Sequence, residues 1–178
     1  MSDTFESARL RFRPQRVEDA AALHEAYRDE ALMRYWSRGP IATVEGVEEY
    51  LRPHVEDDPH WRGWVAIRRD TDEVIGTVAA GERRSGVAEI GYLVVRRHWG
   101  LGFAREAVAR LIDLLFLEEG KRRVCADTDP ENERSMRLLG SLGFRREGLL
   151  RGEWETHIGV RDSVIWGLLK EEWTSRRD

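Results

Sequence analysis

Cysteine is nearly absent from this sequence. One residue in 178, Cys125, excludes an internal disulfide and with it the small scaffolds that depend on such bridges. No apolar run is long enough to span a bilayer and no signal-like segment opens the chain, so the expectation is a cytoplasmic protein that does not engage a membrane. An excess of positive charge is also missing: Lys and Arg number 29 against 33 acids, a net charge of −4, which argues against a general nucleic-acid binder. No compact cluster of His, Cys and Asp accompanies Asp127 and Asp129, so no metal site is expected. Repeats, linkers and low-complexity tracts are lacking too. A single domain over 1–178 is therefore expected, with its folded core at about 8–170 and a frayed, charged tail at 171–178.

What the sequence does contain is a succession of periodic segments. Ala8–Arg13 alternates Leu10 and Phe12 with arginines, the period of a half-buried strand. Ala20, Leu23, Ala26 and Tyr27 mark a helix over Val17–Arg28, and Thr43 is placed to cap a second one reaching about Arg52. The loop between them, with Tyr35, Trp36, Gly39 and Pro40, reads either as a substrate wall or as a packed helix connection. Trp61–Arg69, Val74–Gly81 and Val87–Val95 read as strands whose short links favour an antiparallel meander. A helix bearing Val108, Leu111, Ile112, Leu115 and Phe116 then runs to about Glu119 and stops at Gly120, before a strand at Arg123–Thr128. That crossover implies one parallel pair. Asn132 caps a helix carrying Met136, Leu139 and Leu142, closed by Gly143, and strands follow from Phe144 and over Ser163–Leu169. Trp61, Trp64, Trp154, Trp166 and Trp173 fall mostly in apolar contexts and read as core or interface residues. The expected class is α+β: a mostly antiparallel twisted sheet of about six to seven strands, flanked by about four helices.

The strongest chemical signal is Trp99-Gly100-Leu101-Gly102-Phe103-Ala104, a glycine turn between a strand and a helix. The first N–H groups of a helix have no intrahelical partner, and glycines let a ligand approach them, so the turn is built for phosphate. A dinucleotide fingerprint needs a third glycine where this chain has Arg105, and it opens a parallel sheet rather than following a meander. A Rossmann oxidoreductase is thus disfavoured, and another pyrophosphate carrier such as coenzyme A fits better.

The turn resembles the acetyl-CoA loop of the GCN5-related N-acetyltransferases, Gln/Arg-x-x-Gly-x-Gly/Ala, except at its first place, where Trp99 stands. Further blocks are similar to the branch of ribosomal-protein N-terminal acetyltransferases: Ala8-Arg9-Leu10-Arg11-Phe12-Arg13, Glu89-Ile90-Gly91-Tyr92, Glu106-Ala107, Asn132-x-x-Ser135 leading to Leu142-Gly143-Phe144, and Arg161-Asp162-Ser163-Val164. They cover nearly the whole chain, in the family's order.

The resemblance implies direct transfer of an acetyl group from acetyl-CoA to a primary amine, either a protein N-terminus such as that of a ribosomal protein or a small amine. A homodimer is compatible with it. The loop from Trp99 through Leu101 to Arg105 would bind the cofactor, with amides around Gly100, Gly102, Phe103, Ala104 and Arg105 on the pyrophosphate. The strand before the loop would carry a bulge and diverge from its parallel neighbour, letting Leu93 and Val94 contact the pantetheine. Ser135 would protonate the leaving thiolate, and Asn132 would either contact the pantetheine or cap its own turn. Glu89 is the favoured general base, with Glu153, Glu155 or water as rivals. His98 and His157 are expected as solvated loop residues, and Cys125 as a small buried strand residue rather than a nucleophile. Two departures remain: Arg105 replaces a small hydroxyl residue, and Val95-Arg96-Arg97 replaces an Asp-Pro turn. A non-catalytic acyl-CoA sensor is the alternative of another class.

Overall fold

The computed structural model describes residues 4–58 and 60–175. In chain order the elements are β1 (Phe5–Glu6), β2 (Leu10–Pro14), α1 (Ala20–Tyr27), α2 (Glu30–Met33), α3 (Val44–Arg52), β3 (Trp61–Arg68), β4 (Val74–Arg84), β5 (Val87–Val94), α4 (Phe103–Asp113), β6 (Arg123–Thr128), α5 (Glu133–Leu142), β7 (Arg145–Thr156), β8 (Gly159–Leu169) and α6 (Lys170–Thr174). Asp29 caps α2, its Oδ1 accepting from the amides of Ala31 and Leu32. Thr43 caps α3 as expected, accepting from the Gly46 amide at 3.1 Å. Both α3 and α4 end in a wide π-helical turn, over Pro53–Asp57 and Leu114–Glu118.

The strands form one eight-stranded sheet in the order β1-β2-β3-β4-β5-β6-β8-β7, antiparallel throughout except for β5 beside β6. The class is the expected one, with an extra strand because β1, only two residues long, shows no period a sequence can reveal. A core lies on each face. One packs Ile90, Val124 and Leu168 of the sheet against Leu111 and Phe116 from α4 and its extension and Leu139 from α5. The other packs Val65, Leu93 and Val95 against Leu23 of α1 and Val47 and Leu51 of α3. No helix among the described residues is long and apolar enough to cross a membrane.

Two expectations about the periphery are corrected. The segment after Leu169 is helical rather than frayed: Trp173 is buried and its indole N–H donates to Asp113 Oδ1 at 2.8 Å, while residues 176–178 lie outside the described set. Trp64, Trp166 and Trp173 are buried as core residues, but Trp154 is 46% exposed.

Candidate active site

The parallel pair creates the site by coming apart. β5 and β6 share only three register pairs, Val87 with Arg123, Ala88 with Val124 and Glu89 with Cys125. Beyond Glu89, β5 stays on β4 as far as Val94, and β6 stays on β8 as far as Thr128. The strands therefore splay into a V with Glu89 at its vertex. The expected divergence is present, but the expected bulge is not in β5. The extra residue is Arg83, on β4, where Glu82 and Arg84 face Ala88 and Val87.

Strand alternation decides which backbone groups face the gap. The Val95 amide donates to Ile75 O on β4, so at two-residue steps Leu93 and Gly91 also turn their N–H and C=O to β4. Ile90, Tyr92 and Val94 turn theirs toward β6; the Ile90 N–H closes the last pair onto Cys125 O, and Tyr92 and Val94 lie beyond it, where no strand pairs them. The open side thus lies one residue off Leu93, whose side chain is buried against α1 and α3. Val94 O is already taken: it accepts the Trp99 indole N–H at 2.7 Å.

A cleft of about 2690 Å³ occupies this gap, well above the roughly 300–1,000 Å³ of a typical single-ligand pocket, which leaves room for two substrates. Of the expected cofactor residues, all but Leu101 line it. Gly100 and Gly102 have φ of +79° and +81°, the left-handed region that excludes most side chains. Gly102 caps α4, whose first paired amide is that of Glu106, donating to Gly102 O. The amides of Phe103, Ala104 and Arg105 lie in the unpaired first turn. Arg105 is exposed beside them, and the Arg134 guanidinium lies over the Trp99 ring, 4.6 Å from its centre.

Across the cleft, Asn132 caps α5 through its side-chain oxygen, which accepts the Ser135 amide at 3.2 Å. Ser135 Oγ lies 2.6 Å from the Tyr92 hydroxyl, a contact between α5 and β5 that the sequence did not suggest. Burial pushes the Tyr92 phenol up to about 12, against the pull of the Ser135 hydrogen bond, so the phenol keeps its proton.

The acids separate cleanly. Glu89 lines the cleft, its side chain 15% exposed and paired with Arg83 Nε at 3.1 Å. Burial raises its carboxyl above the usual range, Arg83 pulls it back and the charge of Asp127 raises it again. Glu153 and Glu155 are exposed and do not line the cleft, and Trp154 between them does. The Trp154 indole donates to Asp127 Oδ2 at 2.7 Å, which also accepts from Ser163 Oγ at 3.0 Å. Cys125 is buried, its thiol pushed up by burial and by Glu89, which suits a packed strand residue and not a nucleophile. His98 is likewise buried, 3.4 Å from Glu73 and edge-on to Phe103, contrary to the solvated position expected. His157 is exposed as expected.

The Tyr35-Trp36 loop does form a wall. Tyr35, Trp36 and Pro40 line the cleft, and the loop is strapped over it. Tyr35 OH donates to Glu131 O at 3.2 Å, Arg34 lies 3.5 Å from the Glu131 carboxylate, and the His157 ring packs against Gly39.

Comparison with known proteins agrees with this geometry. The acetyltransferase (GNAT) domain family matches residues 9–145. An uncharacterised N-acetyltransferase of Bacillus licheniformis, p20, is 36% identical over 177 residues, covering 96% of this chain and 98% of its own. A GCN5-related N-acetyltransferase from Brucella melitensis superposes with a TM-score of 0.85 at 25% identity, covering 96% of this chain and 80% of that one. A spermidine N-acetyltransferase from Vibrio cholerae, solved with CoA and spermine, shares the fold with a TM-score of 0.80 at 24% identity, covering 94% and 99%. The splayed strand pair and the glycine turn fit acetyl-CoA as donor, and the chain belongs to the GNAT family of N-acetyltransferases.

Proposed function

We propose that the chain acetylates a small primary amine by direct transfer within a ternary complex, Glu89 receiving the amine's proton and Ser135 supplying one to the leaving thiolate. The observation that carries this is the gap between β5 and β6, because it joins the two faces of the sheet. Ile90 and Tyr92 belong to the face covered by α4 and α5, where the glycine turn and Ser135 lie. Glu89, one residue before Ile90, points to the opposite face, that of Leu93, α1 and α3. Donor and acceptor groups therefore approach from opposite sides, with a base on one and a proton donor on the other.

Acetyl-CoA supplies the acetyl group as a thioester, open to attack by an uncharged amine. The amides of α4's first turn and the exposed Arg105 bind its phosphates. The backbone of Tyr92, beyond the last β5–β6 pair, is available to its pantetheine arm. Ser135 acts with Tyr92, whose retained proton is hydrogen-bonded to it or oriented by it. Glu89, poised by burial, is the base.

A small acceptor is favoured because the Tyr35 strap and the His157 turn narrow the α1–α3 side. The carboxylates of Glu89, Asp127 and Asp129 line the cleft and suit a cationic amine. Spermidine acetylation by a relative of the same fold is consistent with this. The second reading, a protein N-terminus, is favoured by the Glu89-Ile90-Gly91-Tyr92 and Asn132-x-x-Ser135 blocks and their likeness to the ribosomal-protein branch.

Release of CoA from acetyl-CoA, followed with mono-, di- and polyamines beside peptides with a free N-terminus, tests both. Turnover confined to small amines is expected, and turnover confined to peptides would reverse the assignment. Ser135→Ala should lower kcat by about a hundredfold with CoA binding retained. An unchanged kcat would remove the serine from the chemistry, and CoA binding with no turnover of any amine would leave a sensor.

A further inference from the structure

The turn that carries Gly100 and Gly102 has little packing of its own. A methyl group on Gly100 would meet nothing within 4 Å, and Leu101 is 54% exposed. What reaches it is Arg9, from the bend between β1 and β2, 92 residues away in sequence from the atom it holds. Arg9 Nη1 donates to Leu101 O at 3.0 Å, and its guanidinium lies over the Phe103 ring, 4.4 Å from the centre. Arg9 Nε donates to Glu106 Oε2 at 2.6 Å. Glu106, in the first turn of α4, also accepts from the Arg9 amide and from Ser7 Oγ, both at 2.7 Å. Its side chain is only 17% exposed. Burial pushes the Glu106 carboxyl up, but these hydrogen bonds outweigh it and hold the group below the usual range.

We propose that Arg9 and Glu106 act as a positioning pair that sets the glycine turn for the phosphates of coenzyme A, an inference that rests on the cofactor site described above. The first argument is geometric. A trans peptide directs its C=O and N–H to opposite sides, so a fixed Leu101 carbonyl fixes the Gly102 N–H pointing away from Arg9. Left-handed glycines with open space beside them would otherwise sample many peptide orientations. The second argument is electrostatic. A bare carboxylate in the first turn of α4 would repel phosphate from the amides beside it, and Arg9 compensates that charge. Arginine suits the task because its planar fork reaches Glu106 and Leu101 at once, which a single ammonium cannot do with the same geometry.

The test is CoA affinity by titration calorimetry, with KM for acetyl-CoA and for the amine determined separately. Arg9→Ala should weaken CoA binding and raise the acetyl-CoA KM by about tenfold, with the amine KM unchanged. Arg9→Lys, which keeps the charge but loses the bond to Leu101, should fall between, and it serves alone if Arg9→Ala does not fold. Adding Glu106→Gln to Arg9→Ala should recover part of the affinity by removing the uncompensated carboxylate, whereas a merely structural contact would be damaged further. Unchanged CoA affinity in a folded variant, or an equal rise in both KM values that the second substitution deepens, overturns the proposal. Failure of the unsubstituted protein to bind CoA would instead sink the cofactor site itself.

Discussion

Glu89 stands between opposed influences: burial and the charge of Asp127 favour its neutral form, while Arg83 at 3.1 Å favours its ionised one. The net direction is upward, and two consequences differ in sign. As a base the group acts only when ionised, so activity should rise with pH through a value above the ordinary carboxylate range. For stability, a carboxyl whose folded-state value is raised contributes most below its unfolded value, and that contribution is lost as pH rises through the folded one. Glu89→Gln should therefore cost about a hundredfold in kcat while leaving the melting temperature at neutral pH equal or higher. Calorimetry beside a pH–rate profile checks both, and a profile that keeps its acid limb in the variant would move the base to water or another group. The rival acids show why sequence alone did not settle this. Register shifts in β7 between Arg146 and Gly148 and between Leu150 and Trp154, with Gly152 at φ +63°, break the two-residue alternation. Counting from Phe144 thus cannot say whether Glu153 or Trp154 faces the cleft, and the structure turns Trp154 inward. Tyr92 was equally hidden, because its partner Ser135 lies on another element, 43 residues on.

At the scale of elements, legibility followed the strength of local signals. β6 has its expected bounds because an apolar run is bracketed by Gly120 and Pro130, and α5 because Asn132 and Gly143, at φ +94°, punctuate both ends. α6 gave no such signal. Its five residues hold one apolar side chain, Trp173, and only docking against the core makes them a helix. The start of α4 was the clearest feature of all, and its glycines serve conformation rather than space. A Cβ on Gly102 would lie 3.4 Å from Arg9 Nη2, an ordinary contact, but at φ +81° any L side chain is strained. Gly102→Ala should cost about 1–2 kcal/mol and lower the melting temperature by roughly 2–8 °C. Because relief of that strain would rotate the turn, CoA affinity should fall as well. Retained affinity with a lower melting temperature would mean that the turn tolerates the strain in place.

For the whole molecule, the sheet separates two cores, and at the cleft the parted strands let the two faces communicate. Three distant segments meet over its acceptor side: the loop after α2, the β6–α5 connection and β8. Arg161 of β8 ties them, donating to both Asp129 oxygens at 2.7 and 3.0 Å and lying 2.8 Å from Glu131. Glu131 in turn receives Arg34 and Tyr35 from the loop. Burial pushes the Asp129 carboxyl up, but the Arg161 hydrogen bond, the Glu131 amide and the charges of Arg161 and Arg34 together outweigh it and hold the group below the usual range. A depressed carboxyl contributes stability that is complete above its unfolded value and is lost as pH falls through the folded one, so the strap should hold through neutral pH and loosen only in acid. Arg161→Ala removes the tie at all pH values and leaves Asp129, nearly buried, without its main partner. The expected result is a rise of about tenfold in the amine KM, with the acetyl-CoA KM unchanged because the glycine turn lies on the other face. Steady-state kinetics with each substrate varied in turn decides the matter. Acetyl-CoA affinity falling in step with amine affinity would mean that the strap and the glycine turn move as one unit, and that the two faces are coupled through the gap itself.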